Sequence, residues 1–286
     1  MVYDSVKKII ILFDEHGTPI FKMQKEQDIF LGVSVLYELN EEEIIFNCCD
    51  EIMGLSNSNP LKNNKISVSR AINISKTIGN LNLDILGRYL RLDNSRLKDK
   101  TEEYVKFGNF TRKIFRKTNE ERKLAQVLYQ EVLYGSLWGI IEEYLKHIRT
   151  GIHSFEIFID SWDFPNIDRY FAQEYASGSL EEKLRTNIKI DSKRNTQISI
   201  SPIRLLTKSS DQRKRFIDVM TSIISRAFRN KHDSKFSVEP LRELKNRLKS
   251  RIRIIDDSDE VVQFMDTFIK KSIRDTKEKD KGLLIL

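Results

Sequence analysis

Cysteine is nearly absent from this 286-residue chain, whose only two cysteines, Cys48 and Cys49, are neighbours in the sequence. Neighbouring cysteines rarely form an unstrained disulfide, and the chain has no CxxC motif or Cys/His cluster of the kind that binds zinc. The sequence therefore disfavours both a disulfide-stapled secreted domain and a zinc module. Reduced cysteines are typical of a cytoplasmic protein, which is the location we expect.

Proline and glycine are also scarce, at 5 and 11 residues. This composition excludes a collagen-like or low-complexity chain. The sequence has no run of about eighteen apolar residues, so we expect no transmembrane helix and no membrane partner. The apolar run near the N-terminus is too short for the core of a signal peptide. A hydrophobic fraction of 40% is typical of a globular protein rich in helix.

Acidic residues are fewer than basic ones, since 42 Asp and Glu stand against 49 Lys and Arg, for a net charge of +7. A basic protein favours polyanionic partners, and nucleic acid is the first of these. The alternative is that the lysines are scattered over an ordinary solvated surface.

The order of apolar segments along the chain predicts an α/β fold. We predict strands at 9–13, 29–39, 82–92, 155–160, 187–191 and 197–206, and helices at about 40–54, 67–79, 119–149, 167–185 and 216–228. A polar linker at 229–235 precedes two amphipathic helices, at about 238–254 and 258–275. We therefore divide the chain into an α/β domain at 1–229, with a helical insertion at about 95–150, and a basic helical extension at 230–286.

Three aspartates are distinguished by where they lie in these elements. Asp14 follows the apolar run IIILF, Asp160 ends the strand FEIFID, and Asp218 borders the apolar face of a helix. If the first and fourth strands are parallel neighbours, Asp14 and Asp160 leave the sheet at the edge where α/β proteins place their sites. Converging carboxylates repel one another unless a cation is bound, and oxygen-only ligands favour Mg²⁺ or Mn²⁺. Such a site can hydrolyse phosphodiesters.

Two of the three aspartates also have a simpler interpretation. An Asp after an apolar strand is often a turn residue or a helix cap, which is the alternative for Asp160. Asp218 could instead pair with Arg215 or Arg226 of its own helix. The convergence of all three residues at the ends of separate elements is better explained by a site.

The sequence leaves the fourth carboxylate ligand open. Glu15 is adjacent to Asp14, and Glu131 lies at the margin of the apolar stripe of the long helix, so both are candidate catalytic residues beside the aspartates. His16 has two interpretations, as a general acid or phosphate contact and as a turn residue before Gly17.

These motifs resemble those of a mostly bacterial domain family of unknown function with a ribonuclease-H-like fold. Its members open with a strand ending in Asp-Glu-Ser-Gly, followed later by an apolar strand ending in Asp and a helix with Gln-x-x-Asp. The matching residues here are Asp14-Glu15-His16-Gly17, Phe158-Ile159-Asp160 and Arg215-Phe216-Ile217-Asp218. The resemblance covers about 8–229, with His16 in place of the usual Ser and Arg215 in place of Gln. It implies a ribonuclease-H-like mixed sheet flanked by helices and a metal-dependent nuclease or nuclease-like module, frequent in mobile elements and anti-phage systems.

Basic residues concentrate in two places. Arg213, Lys214 and Arg215 immediately precede Asp218, and a second group lies in the C-terminal region: Arg242, Lys245, Arg247, Lys249, Arg251 and Arg253. We expect both groups to contact nucleic-acid phosphates. A solvated face, or a surface for an acidic protein, is the alternative for the second group. No helix-turn-helix, zinc-finger or RNP motif predicts base-specific recognition.

The leading hypothesis is therefore a Mg²⁺- or Mn²⁺-dependent nuclease acting on DNA or RNA. The alternative is a non-catalytic module that binds nucleic acid or protein, with a partner protein or a second copy docking on the C-terminal helices. A phosphohydrolase acting on a small nucleotide is less favoured, because the chain has no Gly-rich phosphate loop.

Overall fold

The structure is a computed structural model that describes eleven stretches of the chain. These are residues 6–17, 29–53, 67–92, 94–103, 120–148, 150–160, 180–191, 196–206, 211–228, 234–267 and 269–270. By its contacts the chain divides into a larger unit, with residues 1–16, 31–88 and 132–255, and a smaller unit, with residues 17–30, 89–131 and 256–286. Among the described helices, none combines the length and the apolar character needed to cross a membrane.

The described strands form one mixed sheet. They are β1 (Lys7–His16), β2 (Ile29–Glu38), β3 (Asp84–Arg91), β4 (Gly151–Asp160), β5 (Thr196–Ile200), β6 (Arg204–Leu206) and β7 (Ile252–Asp256). Their order is β5-β4-β1-β2-β3-β7, with β6 also paired to β4. β1 is antiparallel to β2 and parallel to β4, which in turn is parallel to β5 and β6. The predicted α/β class, with a mixed sheet and helices beside it, is confirmed.

The centre of the sheet is buried on both faces, as the continuous apolar run of β1 predicts. All five residues from Ile9 to Phe13 have no exposed surface, and Phe155 and Ile157 of the neighbouring β4 are equally buried. The backbone at the end of β1 is thus fixed by packing on each side.

The described helices include six that we number in chain order. They are α1 (Glu42–Met53), α2 (Val68–Gly79), α3 (Glu120–His147), α4 (Leu180–Asp191), α5 (Gln212–Arg226) and α6 (Ser234–Leu248). Residues 95–103 and 258–267 are also helical. Ser67 caps α2 by accepting a hydrogen bond from the Arg70 backbone N–H, and Asp211 caps α5 by accepting one from the Arg213 backbone N–H.

Glycines allow part of α3 to lie very close to the sheet. A Cβ at Gly139 of α3 would be only 2.7 Å from Leu86 Cδ2 of β3. Similarly, a Cβ at Gly32 of β2 would be 2.7 Å from Val132 Cγ1 of α3. Larger residues would therefore push the helix and the sheet apart.

Two strand predictions in the second half of the chain need correction. Residues 187–191 were expected to form a strand but belong to α4, because Ile188 continues the four-residue spacing of Leu180 and Leu184, and all three side chains are buried. The predicted strand 197–206 is two strands, β5 and β6, separated by residues 201–203. Pro202 lies in this break and has no N–H to donate to a sheet ladder. The predicted helix at 167–185 lies largely outside the described residues.

The C-terminal region also differs from its prediction. The helix predicted at 238–254 ends at Leu248, and residues 252–256 form β7, next to β3 in the sheet. α6 packs on α2, and residues up to Ile255 belong to the larger unit, whereas the predicted domain boundary was at 229/230. The last predicted helix is seen at 258–267, and most of the predicted linker lies outside the described residues.

Candidate metal centre

The sheet register places Asp14 and Asp160 side by side. Phe13 of β1 pairs with Ile159 of the parallel strand β4, and the two aspartates follow these residues directly. Each aspartate is only 7% exposed. The predicted meeting of these two carboxylates at one edge of the sheet is therefore what the structure shows.

Asp218 comes to the same place from helix α5, which packs on β1. Its neighbours Ile217 and Val219 are fully buried, while Asp218 itself lies at the margin of the packed face. Asp14, Asp160 and Asp218 each offer one carboxylate oxygen, and these atoms lie within 4.8 Å of one another. Among the described residues, these three form the one cluster of acidic, His or Cys side chains close enough to share a cation. We call it the carboxylate cluster.

The pKa of Asp14 shows that the carboxylate cluster disfavours its own ionised form. Burial, followed by the charges of Asp160 and Asp218, raises the pKa of Asp14 to about 7. The side chain of Thr221 and the backbone N–H of Glu15 act in the opposite direction but do not cancel this rise. A bound cation would remove the penalty on the ionised carboxylate.

Glu15 and Glu131, the two candidates for a fourth ligand, are placed differently. The Oε2 atom of Glu15 is buried and has no hydrogen-bond partner. Burial and the charges of Asp14 and Asp160 raise the Glu15 pKa well above its usual value, with Lys214 opposing them. Glu131 is a half-buried residue of α3 in the smaller unit, and neither Glu15 nor Glu131 is a member of the carboxylate cluster.

Lys214 supplies the positive charge nearest to the carboxylate cluster. Its ammonium group forms a salt bridge with Asp160 Oδ1, and the two side chains are 19% and 10% exposed. Burial tends to lower the Lys214 pKa, but the hydrogen bond and charge of Asp160, with the charges of Asp218 and Asp14, outweigh this effect and raise it. From the sequence, Lys214 is predicted to contact nucleic acid. The sequence gives a partial signal, because Lys214 lies four residues before Asp218 and therefore on the same face of α5. Its contact with Asp160 of β4 depends on how α5 packs and has no local signal.

The two arginines beside Lys214 have partners inside the fold. Arg213 donates to both carboxylate oxygens of Glu42, at 2.8 and 2.9 Å, and lies 4.2 Å from the centre of the Phe158 ring. Arg215 donates to Asp50 at 3.3 Å. Both arginines, predicted to bind nucleic acid, thus have acidic partners on α1.

His16 and Gly17 mark the end of β1. His16 is the last residue of β1 and pairs with Leu31 of β2. The interpretation of His16 as a turn residue is therefore wrong. The change of direction comes at Gly17, whose φ of 92° is in the region that favours glycine.

The basic residues of the C-terminal region fall into two sets. Arg247 donates to Glu243 and Asn80, Arg251 donates to Asp84, and Arg253 pairs with Glu143. The other three are exposed and have no ion pair within the described part of the chain: Arg242, Lys245 and Lys249. Three of the six residues predicted to bind phosphates are thus exposed cations without an ion pair among the described residues.

The donor set of the carboxylate cluster fits a hard divalent cation, because every ligand is a carboxylate oxygen held on a strand end or a packed helix. The carboxyl group of Glu15, whose buried Oε2 has no hydrogen-bond partner, interacts electrostatically with Asp14 and Asp160. Cys48 and Cys49 are buried free thiols on α1 and are not part of this cluster. The fold and site therefore define an α/β protein with a candidate metal centre made of carboxylates.

Comparisons of the chain with known families and with curated proteins found no relative. No protein-family model matches the chain, and the curated proteins include no significant match to it.

Proposed function

We propose that this chain is a Mg²⁺- or Mn²⁺-dependent nuclease whose metal is held by Asp14, Asp160 and Asp218. The observation that carries the proposal is the convergence of three carboxylates from three separate elements within 4.8 Å. Burial, together with the charges of Asp160 and Asp218, raises the Asp14 pKa and costs folding free energy that a purely structural role does not offset. Glu15 is the better placed candidate for a fourth carboxylate, because its Oε2 atom is buried without a partner.

Asp14, Asp160 and Asp218 would hold the divalent ion, which would supply Lewis-acid chemistry for phosphodiester hydrolysis. The chain's own contribution is to hold the three carboxylates rigidly, through the fully buried strand β1 and the capped helix α5. The exposed side chains of Arg242, Lys245 and Lys249 attract a polyanion to the larger unit. A phosphodiester of DNA or RNA is the substrate class that suits both features.

The mixed sheet and the positions of Asp14, Asp160 and Asp218 agree with the ribonuclease-H-like family that the sequence motifs resemble. This agreement supports a phosphodiesterase. A place in mobile elements or anti-phage systems is supported by the sequence resemblance alone.

The test is cleavage of single- and double-stranded DNA and RNA with Mg²⁺ or Mn²⁺, comparing the wild type with Asp14→Asn, Asp160→Asn and Asp218→Asn. We expect each variant to lose cleavage by a factor of about 100 or more, as removal of a transition-state interaction of about 3 kcal/mol does. Asp99→Asn is the matched control, since Asp99 is exposed and outside the cluster. Full cleavage by folded cluster variants would overturn the proposal.

A second function is favoured by one observation, the salt bridge between Lys214 and Asp160. A lysine that neutralises the acids suits a non-catalytic module that binds nucleic acid or protein. In that case nucleic-acid binding would be unchanged by EDTA and by Asp14→Asn, and no preparation would cleave.

A further inference from the structure

We infer that Lys214 is a resident cation of the carboxylate cluster, which neutralises Asp160 in the metal-free protein and leaves it when a divalent ion binds. The inference rests on the proposed metal site and assigns a new role to a residue that is neither a ligand nor part of the exposed basic surface. It follows from where Lys214 lies and from what holds it there.

Lys214 is in the first turn of α5, and that turn contains no acidic residue. The helix dipole makes the N-terminal turn an unfavourable place for cations, so the helix itself does not stabilise Lys214 there. What stabilises it is the carboxylate of Asp160, together with the nearby charges of Asp218 and Asp14. Its neighbours Arg213 and Arg215 are held by Glu42 and Asp50, which lie outside the cluster.

An ammonium group and a divalent ion compete for the same ligand. The ammonium of Lys214 occupies Asp160 Oδ1, one of the acids that would hold the metal. Two cations on one carboxylate also repel each other in a poorly solvated site. The flexible four-carbon stem of lysine allows the ammonium to swing away, whereas a bidentate arginine such as Arg213 is fixed more firmly.

The salt bridge between Lys214 and Asp160 therefore lowers the affinity of the cluster for a divalent ion. The first test is calorimetric titration of the full chain with Mn²⁺, using the wild type, Lys214→Met and Lys214→Arg. Loss of a charged hydrogen bond that competes with the metal predicts about tenfold tighter Mn²⁺ binding for Lys214→Met. Lys214→Arg keeps the charge, and a guanidinium that binds Asp160 more firmly should leave Mn²⁺ binding no tighter than in the wild type. The control is Lys76→Met, which removes an exposed lysine of α2 and should leave Mn²⁺ binding unchanged.

Equal or weaker Mn²⁺ binding by a folded Lys214→Met variant would overturn the inference while leaving the metal site standing. Absence of Mn²⁺ binding in the wild type and in every variant would overturn the metal site itself, and this inference with it. The two failures are thus distinguishable.

A second test needs no substitution. Acetylation of lysines by an N-hydroxysuccinimide ester, read out by mass spectrometry, should modify Lys214 several times faster with Mg²⁺ than with EDTA, because the ammonium is released from Asp160. The exposed Lys245 serves as the internal standard. An unchanged rate at Lys214, under conditions where calorimetry shows metal bound, would contradict the inference.

Discussion

Asp14 and Asp160 follow directly after Phe13 and Ile159, which pair in the parallel register of β1 and β4. Their closeness is therefore a property of the sheet and does not depend on a loop. Both side chains are almost fully buried, and the fold tolerates their repulsion only by protonation, by the salt bridge of Lys214, or by a bound metal.

The first prediction concerns the pH dependence of stability without metal. Because the folded-state pKa of Asp14 is raised from 3.8 to about 7, the folded state favours the protonated acid. The contribution of Asp14 is therefore most favourable below about pH 4 and is lost as the pH rises through about 7. In EDTA, Asp14→Asn should be more stable than the wild type by a few kcal/mol at about pH 8, and by much less near pH 4.

Chemical denaturation at several pH values measures this difference. Excess Mg²⁺ should reverse its sign near pH 8, because only the wild type keeps the ligand. A stability difference between the two proteins that does not change from pH 4 to pH 8 would show that Asp14 is not strained in this way.

The second prediction separates the two sets of basic residues. Replacing Arg242, Lys245 and Lys249 together by Gln should weaken nucleic-acid binding and lower the slope of log affinity against log salt by about 2.7 for duplex DNA, at about 0.9 per phosphate contact. Thermal stability should hardly change, because these side chains are exposed and have no ion pairs in the described structure.

The matched control for that prediction replaces Arg247, Arg251 and Arg253 by Gln. These residues pair with Glu243, Asp84 and Glu143, so the triple variant should lose about 1 kcal/mol or more of stability with a smaller change in the salt slope. Equal salt slopes for the two triple variants would show that the exposed surface does not contact phosphates.

The third prediction tests the packing behind the cluster. A Cβ at Gly32 would lie 2.7 Å from Val132 Cγ1 and 2.9 Å from Phe13 Cε2, and Phe13 immediately precedes Asp14. Gly32→Ala should therefore cost about 1–3 kcal/mol by overpacking. Gly87→Ala is the control, because its nearest contact, Ile254 Cγ1 at 3.5 Å, is an ordinary one. Denaturant unfolding of both variants decides, and equal stabilities would argue against this close approach.

The fourth prediction concerns the end of α6. Lys249 follows the last residue of the helix with φ of 52°, a conformation that is strained for a residue with a Cβ. Lys249→Gly should raise the free energy of unfolding by about 0.5–1 kcal/mol. Lys245→Gly, inside the helix, should lower it by about 1 kcal/mol. Calorimetric melting of both variants tests the contrast, and destabilisation by Lys249→Gly would contradict it.

The sequence predicted the elements that carry strong local patterns. The continuous apolar run of β1 and the three- and four-residue spacing of α3 correspond to observed elements, and the three aspartates converge. Local patterns did not predict the features that depend on contacts between distant parts of the chain. Residues 252–256 are a five-residue segment whose first residues the prediction included in the longer helix before it, yet they pair at the sheet edge next to β3. No local pattern shows that Arg213 binds Glu42, which lies far away in the sequence.

The central claim, that Asp14, Asp160 and Asp218 form a divalent metal site, is tested most directly by anomalous diffraction from crystals soaked in Mn²⁺. We predict an anomalous peak bound by oxygens of all three carboxylates, with the Lys214 ammonium no longer on Asp160. No peak at these aspartates at a saturating Mn²⁺ concentration would contradict the claim.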